Sequence, residues 1–317
     1  MTARTRKQCS IDLLVGLLSA LLLLLMFTGG PGYYAGRVLK HLWNLGHVFA
    51  FFLWTWYLAH RWAWLKQKQP AHRIVLLIGV AFGAGLLVEG LQYGTARSAD
   101  WQDIGRNMLG CMLAICWTRS ICRYLTPVVR RTGRILCLAW VLLALWPMGR
   151  SLVDIHMARR SFPILADFET SIELERWSGD ARHERSREVH LSGHYALQVT
   201  FGTETYSGVS LNMFPRDWRT YNALEIGIYN PDQNIISMTC RIHDRIHVQG
   251  PQLYADRFNR RYTLQPGWNR ILVLLRDVQQ APAGRRMDLR SVMAVGLFAS
   301  RLDRSRTVYL AHSRLLD

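Results

Sequence analysis

The side chains best suited to chemistry stand in one short stretch of the chain, residues 89–107, beside a strongly apolar run. Glu89 and Gln92 are three residues apart, and Asp103 and Asn107 are four apart, so each pair would share one face of a helix. Ionisable groups are costly to bury in an apolar setting, and by default they mark a site. The spacing predicts that two acids and two amides meet where one helix ends and the next begins.

Two residues of the connecting segment belong to the same predicted cluster. Asp100 could cap the following helix, because a carboxylate there accepts hydrogen bonds from otherwise unpaired N–H groups. Arg97 could anchor an anionic head group such as a phosphate, with Glu89 or Asp103 as the acid or base. The alternative is a structural polar clamp between two helices, held by an arginine–carboxylate contact. The sequence leaves both open.

Cysteine and histidine spacing predicts no metal site. Five of the six cysteines lie at or within apolar runs, and Cys240 stands alone in the second half of the chain. The sequence contains no CxxC pair and no His/Cys spacing of the kind that binds zinc. It also lacks a phosphate-binding loop and a nucleophile elbow. We therefore expect no metal and no cofactor.

Long apolar runs must position the polar cluster, and they predict a multi-pass α-helical membrane bundle. A bilayer core requires roughly 20 apolar residues in a helix. The first run has a basic start and is expected to be an uncleaved span rather than a signal peptide. About five spans are predicted, of which the fourth and fifth are short: residues 11–28, 41–64, 74–93, 107–122 and 135–148.

The net charge of +17 supports this organisation and argues against nucleic acid as a partner. Residues 1–150 carry 17 basic and 4 acidic side chains, interleaved with the apolar runs, which is not typical of a nucleic-acid-binding domain. With five spans and a cytoplasmic N-terminus, 12 of these basic residues face the cytoplasm and 4 lie in outer loops. That bias satisfies the positive-inside rule. It predicts that everything after residue 150 is extracytoplasmic.

The polar spacing resembles the signature of the VanZ-like membrane family. The matching pattern is E-x-x-Q followed by R-x-x-D-x-x-D-x-x-x-N-x-x-G, and His47 in Gly46-His47-Val48-Phe49 matches a family histidine. The resemblance covers about residues 10–125, with Ala114 where a second small residue, often glycine, is usual. It implies a multi-pass protein of the bacterial cell envelope. The family takes its name from glycopeptide resistance.

The second half of the chain predicts a β-sandwich. After a basic linker at 151–161, residues 162–317 contain about nine short alternating runs separated by turn residues, which is typical of an all-β antiparallel sandwich. Phrases such as Asp167-Phe168-Glu169 and Pro266-Gly267-Trp268-Asn269 resemble a galactose-binding-like jelly roll of the carbohydrate-binding-module type. This resemblance implies a glycan ligand.

Exposed aromatic rings are the usual stacking platforms for sugars, because the ring is apolar on its face. The candidates are Tyr206, Tyr254, Phe258, Tyr262 and Trp268. Within the predicted loop at 243–259, Asp256 and Arg257 could bind hydroxyls or acidic sugars. The alternative is that several of these rings fill the core.

Together these features predict a non-catalytic protein of the bacterial cytoplasmic membrane. Its outward-facing polar site would bind an anionic or lipid-linked envelope ligand, and its exported domain would bind a glycan. The expected partners are membrane lipids and a cell-wall glycan or lipid-linked envelope precursor. The alternative is a membrane-embedded enzyme acting on a lipid-linked substrate. A transporter is disfavoured by the small number of spans and the lack of an inverted repeat.

Overall fold

A computed structural model describes residues 3–92 and 101–317 of the chain, with side chains from residue 8 onward. The chain forms two compact units, Met1–Gly149 and Arg150–Asp317. Of the predicted site residues, Arg97 and Asp100 lie outside the described residues.

The first unit is helical. Its described helices are α1 (Ala3–Phe27), α2 (Arg37–Arg61), α3 (Ala63–Lys66), α4 (Pro70–Gln92), α5 (Trp101–Trp117), α6 (Arg119–Cys122) and the first part of α7 (Pro127–Ser161). Two of them, α4 and α7, begin with a proline. The first position of a helix suits proline because its missing N–H group would have no partner there.

Among the described residues, three helices are long and apolar enough to cross a membrane: Gln8–Phe27, Pro70–Gln92 and Pro127–Ser161. They correspond to the first, third and fifth predicted spans. The prediction of about five spans is not supported. Charged and polar side chains along α2 lower its mean hydropathy, and α5 has only 17 residues, fewer than a bilayer core requires.

Helices α2 and α5, which are not in that set, pack closely against each other. A Cβ atom added to Gly110 of α5 would lie 2.3 Å from the carbonyl oxygen of Val48 and 2.9 Å from the amide nitrogen of Phe52, both on α2. Only glycine allows such an approach of two helix backbones. Phe51 and Ile115 belong to the buried core around this contact. The buried face of α2 on this side also carries His47 and Thr55.

The second unit is an antiparallel β-sandwich. Its strands are β1 (Ile164–Ala166), β2 (Trp177–Gly179), β3 (Arg182–Ser186), β4 (Ala196–Phe201), β5 (Ser207–Leu211), β6 (Ala223–Asn230), β7 (Ile236–Asp244), β8 (Phe258–Leu264), β9 (Gly267–Leu274), β10 (Val292–Ala299) and β11 (Arg306–Leu316). One sheet has the order β3-β4-β11-β6-β9, with β1 also paired to β11, and the other has the order β2-β5-β10-β7-β8. From β4 onward most consecutive strands alternate between the sheets, as in a jelly roll. Two short helices, α8 (Arg245–Gln249) and α9 (Leu275–Gln280), connect strands.

The core lies between the two sheets. Trp218 is the largest of its fully buried side chains, and Phe168 and Phe201 are also fully enclosed. The sequence did not predict β8, because it is an edge strand in which Arg260 and Arg261 face solvent and obscure the alternation.

The structure also differs from the predicted linker at 151–161. Helix α7 continues through it to Ser161, and this last part belongs to the second unit. The Asp154 carboxylate is buried there and accepts a 2.9 Å hydrogen bond from Nε of Arg176, which follows strand β1. A second contact joins Arg150 to Glu175 at 2.8 Å. The sandwich therefore includes residues that the sequence assigned to a connecting segment.

Candidate functional sites

Three helices of the first unit bring polar side chains together in its interior. His47 lies on α2, Glu89 on α4, and Asp103 and Asn107 on α5, and all four are buried. We call these four residues the His47 cluster. The structure brings these four predicted site residues together, and their assignment to a ligand site or to a polar clamp stays a prediction.

Hydrogen bonds define the arrangement of the His47 cluster. The Nδ1 atom of His47 lies 3.0 Å from Oδ1 of Asn107, and its Nε2 atom lies 3.6 Å from Oδ2 of Asp103. Arg106 donates to the other Asp103 oxygen, Oδ1. Gly85 leaves room for the Asn107 amide, because a Cβ atom added there would lie 3.0 Å from Nδ2. Each of these side chains therefore occupies a defined position.

Gln92, also predicted to belong to the ligand site or polar clamp, makes a contact with helix α1. Its Nε2 atom donates a 2.9 Å hydrogen bond to the backbone carbonyl of Met26, and so links α4 to α1. A buried amide that bonds to a backbone carbonyl of a neighbouring helix joins the two helices. Gln92 thus joins α4 to α1 next to the His47 cluster.

The donor atoms of this cluster favour a cation. One ligand atom from each of His47, Glu89 and Asp103 lies within 4.8 Å of the other two. Two carboxylates and one imidazole are a common set of metal donors. The metal-spacing rules applied to the sequence could not find this set, because its members come from three helices rather than from one motif.

The second candidate site lies on the outward surface of the β2-β5-β10-β7-β8 sheet. Ser210, Gly296, Arg241 and Asn259 are register partners across β5, β10, β7 and β8. The neighbours of Gly296 along β10, Val295 and Leu297, belong to the core. Because side chains alternate along a strand, position 296 and its partners face outward. Together with Tyr206 and Phe298, these four residues form what we call the Arg241 face.

Glycine at the centre keeps this face open. A Cβ atom on Gly296 would lie 3.1 Å from the Ser210 hydroxyl and 3.3 Å from Nε of Arg241. Among the described residues, Nε of Arg241 and Oδ1 of Asn259 are buried polar atoms without a hydrogen-bond partner. Buried polar atoms are normally satisfied. The two atoms therefore make this face a candidate binding surface.

Aromatic rings stand at both ends of the Arg241 face. At one end Tyr206, which is 64% exposed, packs edge-on against Phe298 with ring centroids 5.9 Å apart. Beyond the other end Tyr254, which is 70% exposed, has the Arg257 guanidinium 5.4 Å from its ring centroid. Its carbonyl accepts a hydrogen bond from Asn259. The face is thus bounded by two exposed rings.

The predicted glycan candidates separate in the structure. Phe258 is only 3% exposed and belongs to the core, so the prediction that it stacks on a sugar is corrected. The Asp256 carboxylate is bonded to Nε of Arg285 at 2.5 Å and to Nδ1 of His247 at 3.2 Å, so its contacts stabilise the fold. Trp268 is 41% exposed but lies on β9 of the other sheet, against Tyr229. Tyr254 and Arg257 remain beside the Arg241 face.

Four residues of the Arg241 face were not predicted as candidates from the sequence: Ser210, Arg241, Gly296 and Phe298. Met238, Cys240 and Ile242 are buried on β7, and this alternation indicates that Arg241 faces outward. Asn259 and Phe298 join it only through strand pairing, which depends on register.

His243, the next outward residue of β7 after Arg241, has an altered acidity. Burial and the nearby guanidinium of Arg241 lower its pKa from the ordinary value of 6.5 to about 3. His247 and Arg257 add to this shift, and the Asp244 carboxylate opposes it. The imidazole is therefore neutral from neutral pH down to well below pH 5.

This shift predicts a pH dependence for the second unit. Between pH 6.5 and about 3 the unfolded chain binds a proton at His243 that the folded chain does not, so stability falls as the pH falls. We expect a loss of about 2 kcal/mol between pH 8 and pH 5 from this group, measured by urea unfolding of residues 150–317. His243→Gln should remove that part of the loss. His190→Gln, at an exposed position, should leave the pH dependence unchanged. An unchanged pH profile in the His243 variant would contradict the prediction.

No family model matches the sequence. No curated protein matches it either. The resemblance to the VanZ-like family is therefore not confirmed by these comparisons.

Solved structures similar to this chain include several β-sandwich modules. A family 11 carbohydrate-binding module from Clostridium thermocellum, solved with a β-1,3-1,4-mixed-linked tetrasaccharide, is 14% identical, with a TM-score of 0.37 over 48% of this chain and 94% of that one. The CBM22-1 xylan-binding domain of Paenibacillus barcinonensis Xyn10C is 14% identical, with a TM-score of 0.34 over 49% and 95%. An exo-β-agarase is 15% identical, with a TM-score of 0.39 over 48% and 24%. At these identities and TM-scores the similarity indicates no ligand for this chain.

Proposed function

We propose that this chain is a non-catalytic, VanZ-like membrane protein of the bacterial cell envelope whose β-sandwich binds a glycan on the Arg241 face. The observation that carries the glycan proposal is the pair of buried atoms, Nε of Arg241 and Oδ1 of Asn259, between two exposed aromatic rings. Ring faces stack on sugars, and a guanidinium and an amide bind hydroxyls or acidic groups.

The charge of this surface favours an acidic glycan. Arg241 on β7, Arg257 before β8 and Arg261 on β8 all lie on or beside the Arg241 face. The two acids of the 243–259 segment, Asp244 and Asp256, are both already bonded to Arg285. An arginine binds a carboxylate or phosphate through charge-assisted hydrogen bonds, which are about twice as strong as neutral ones. A polysaccharide with carboxylate or phosphate groups is therefore the proposed ligand class.

The membrane part of the proposal is supported by the three apolar helices. The distribution of basic residues supports a cytoplasmic N-terminus and an extracytoplasmic sandwich. The bacterial cytoplasmic membrane follows from the VanZ-like resemblance. A C-terminal reporter fusion that is active only in the cytoplasm would contradict this orientation.

Glycan binding by variants of the Arg241 face is the principal test of this proposal. Residues 150–317, screened on an array of neutral and acidic polysaccharides, should bind an acidic one. Arg241→Ala should weaken that binding by roughly tenfold or more, since a hydrogen bond to a charged group contributes about 1.5–3 kcal/mol. Tyr206→Ala should also weaken it, because it removes a ring that stacks on the sugar.

Trp268→Ala is the matched control, because it removes an exposed ring from the other sheet. We expect its affinity to equal that of the unmodified fragment. Loss of binding in Trp268→Ala with full binding in Arg241→Ala would move the site to the other sheet. Binding to no polysaccharide would refute the glycan proposal.

A membrane-embedded enzyme acting on a lipid-linked substrate is the second candidate. It is favoured by the buried carboxylates of Glu89 and Asp103 beside His47, which could transfer a proton. The predicted anionic ligand would also need Arg97, which lies outside the described residues. Glu89→Gln and Asp103→Asn keep size and hydrogen bonding, so folded variants with full envelope function would exclude catalysis by these acids.

A further inference from the structure

We propose that His47, Glu89 and Asp103 form a binding site for one divalent transition-metal ion in the helical unit. The site stands on the geometry of the His47 cluster and is independent of glycan binding by the sandwich. Three features support it: the spacing of the donor atoms, the orientation of the imidazole and the acidic character of two of the three donors.

The spacing of the donor atoms suits a metal ion. Nε2 of His47 and Oδ2 of Asp103 are 3.6 Å apart, and a Glu89 oxygen completes a set within 4.8 Å. Bonds from zinc to nitrogen or oxygen are about 2.0–2.2 Å long. Two donors on one tetrahedral ion are therefore roughly 3.4 Å apart. The three side chains would need to move only slightly to bind an ion.

The orientation of the imidazole leaves a nitrogen available for a metal. Oδ1 of Asn107 is a carbonyl oxygen and can only accept, so Nδ1 of His47, 3.0 Å away, carries the hydrogen. In the neutral ring Nε2 then bears a lone pair, and this lone pair faces the Asp103 carboxylate. Among the described residues Nε2 has no hydrogen-bond partner, although His47 is only 2% exposed.

The contact with Asn107 is of the kind that supports metal-binding histidines. Such a histidine almost always donates its other ring N–H to an oxygen, which fixes the tautomer and the ring plane. Here Asn107 fulfils that role from α5, one helical turn after Asp103. The amide thus acts as a positioning residue, and its removal should weaken metal binding without removing a ligand.

The buried charge also favours a cation. Glu89 and Asp103 are both buried carboxylates, and Arg106 donates to Asp103 Oδ1, which leaves Oδ2 directed at His47. Two acidic ligands in one buried site attract a divalent ion strongly. One imidazole nitrogen with two carboxylate oxygens favours zinc, manganese or iron(II) over calcium or magnesium.

Metal content of the full-length protein tests the site. The protein would be purified in detergent without a polyhistidine tag, stripped with a chelator and equilibrated with Zn²⁺ or Mn²⁺. We expect about one ion per chain by mass spectrometry and a higher midpoint of thermal unfolding with metal than without it. His47→Ala and Asp103→Asn should each weaken binding at least tenfold, and Asn107→Ala by about tenfold.

His60→Ala is the matched control, because His60 also lies on α2 but contacts Trp56 and Ser120 instead of the cluster. Its metal content should equal that of the unmodified protein. If the cluster variants fail to fold, X-ray absorption spectroscopy of the metal-loaded unmodified protein identifies the ligand atoms instead. We expect one imidazole nitrogen, with carboxylate oxygens and no sulfur.

Three results would overturn the proposal. They are no bound ion with either metal, full binding by a folded His47→Ala variant, or sulfur ligands in the absorption spectrum. A purely structural clamp predicts the first of these, with thermal unfolding that is insensitive to metal. None of these results affects the test on the Arg241 face, because that test uses only residues 150–317.

Discussion

Replacing Asp154 by alanine is expected to lower the free energy of unfolding of residues 150–317 by about 3–5 kcal/mol. The Asp154 carboxylate and the Arg176 guanidinium are each only 2% exposed and are joined by contacts of 2.9 and 2.8 Å. Without the carboxylate, the buried guanidinium keeps a hydrogen bond to the Leu165 carbonyl and an electrostatic interaction with Glu173, but loses its ion-pair partner. An uncompensated buried charge is far more costly than the loss of one hydrogen bond.

Urea unfolding of the purified fragment would measure this loss as a lower midpoint with an unchanged slope. Glu184→Ala is the control, since Glu184 forms a solvent-exposed pair with Arg182 and such pairs contribute at most about 1 kcal/mol. Joint replacement of Asp154 by leucine and Arg176 by methionine should restore much of the stability, because it removes both charges. An unchanged midpoint in Asp154→Ala would show that the pair does not hold α7 to the sandwich.

The same contact predicts that residues 162–317, the domain boundary expected from the sequence, form a less stable fragment than residues 150–317. Cutting at 162 removes Asp154 and leaves Arg176 buried, as the alanine variant does.

Asp244→Ala is expected to destabilise the sandwich by a similar amount and to weaken glycan binding as well. The Asp244 side chain is fully buried and accepts bonds from both terminal nitrogens of Arg285, at 2.6 and 2.9 Å. It also accepts from the backbone N–H groups of His247 and Asp288. Its loss would leave all of these donors short of a partner, at a cost of about 3–5 kcal/mol.

The acidity of Asp244 reflects this network. Burial raises the pKa of its carboxyl group, and the bonds from Arg285 and the two backbone groups outweigh that effect, so the pKa lies below its ordinary value. The ionised form is thus the stabilised one, and its contribution is lost only when the pH falls below the ordinary aspartate range.

Loss of Asp244 is also expected to weaken glycan binding, because its hydrogen bonds position residues beside the Arg241 face. Asp244 and Arg285 support the segment from α8 to β8, which carries Tyr254 and Arg257 beside the Arg241 face. Asp244→Ala should therefore lower both the urea midpoint and the glycan affinity. Asp277→Ala, which removes a partly exposed partner of Arg260, should change neither substantially. A stable Asp244→Ala fragment with full affinity would refute this account.

Local patterns account for what could be predicted about the fold. The apolar character of Pro70–Gln92 depends only on its own residues, so the helix could be predicted before any contact was known. The alternation in β7 likewise reports the pleat of one strand. By contrast, α2 and α5 contain enough polar residues that their own composition does not identify them as membrane spans, and Gly110 shows that they are held by each other.

The candidate sites needed more than local patterns. Spacing placed Asp103 and Asn107 on one helix face, and it placed Glu89 near them across a short connection. The sequence could not show that Gln92 turns to the Met26 carbonyl while Glu89 joins His47. A helix face is about 100° wide, and the packing of neighbouring helices selects the part that each side chain contacts.

What the sequence by itself determined was the division into an apolar helical half and an alternating β half, together with the residue types available for chemistry. The tertiary structure decided which of them meet. His47, Glu89 and Asp103 converge from three helices, Phe258 turns into the core, and Trp268 lies on the other sheet from Arg241. The physical reason is that helix packing and strand register join residues far apart in the chain, and a one-residue change of register reverses the face on which a side chain lies.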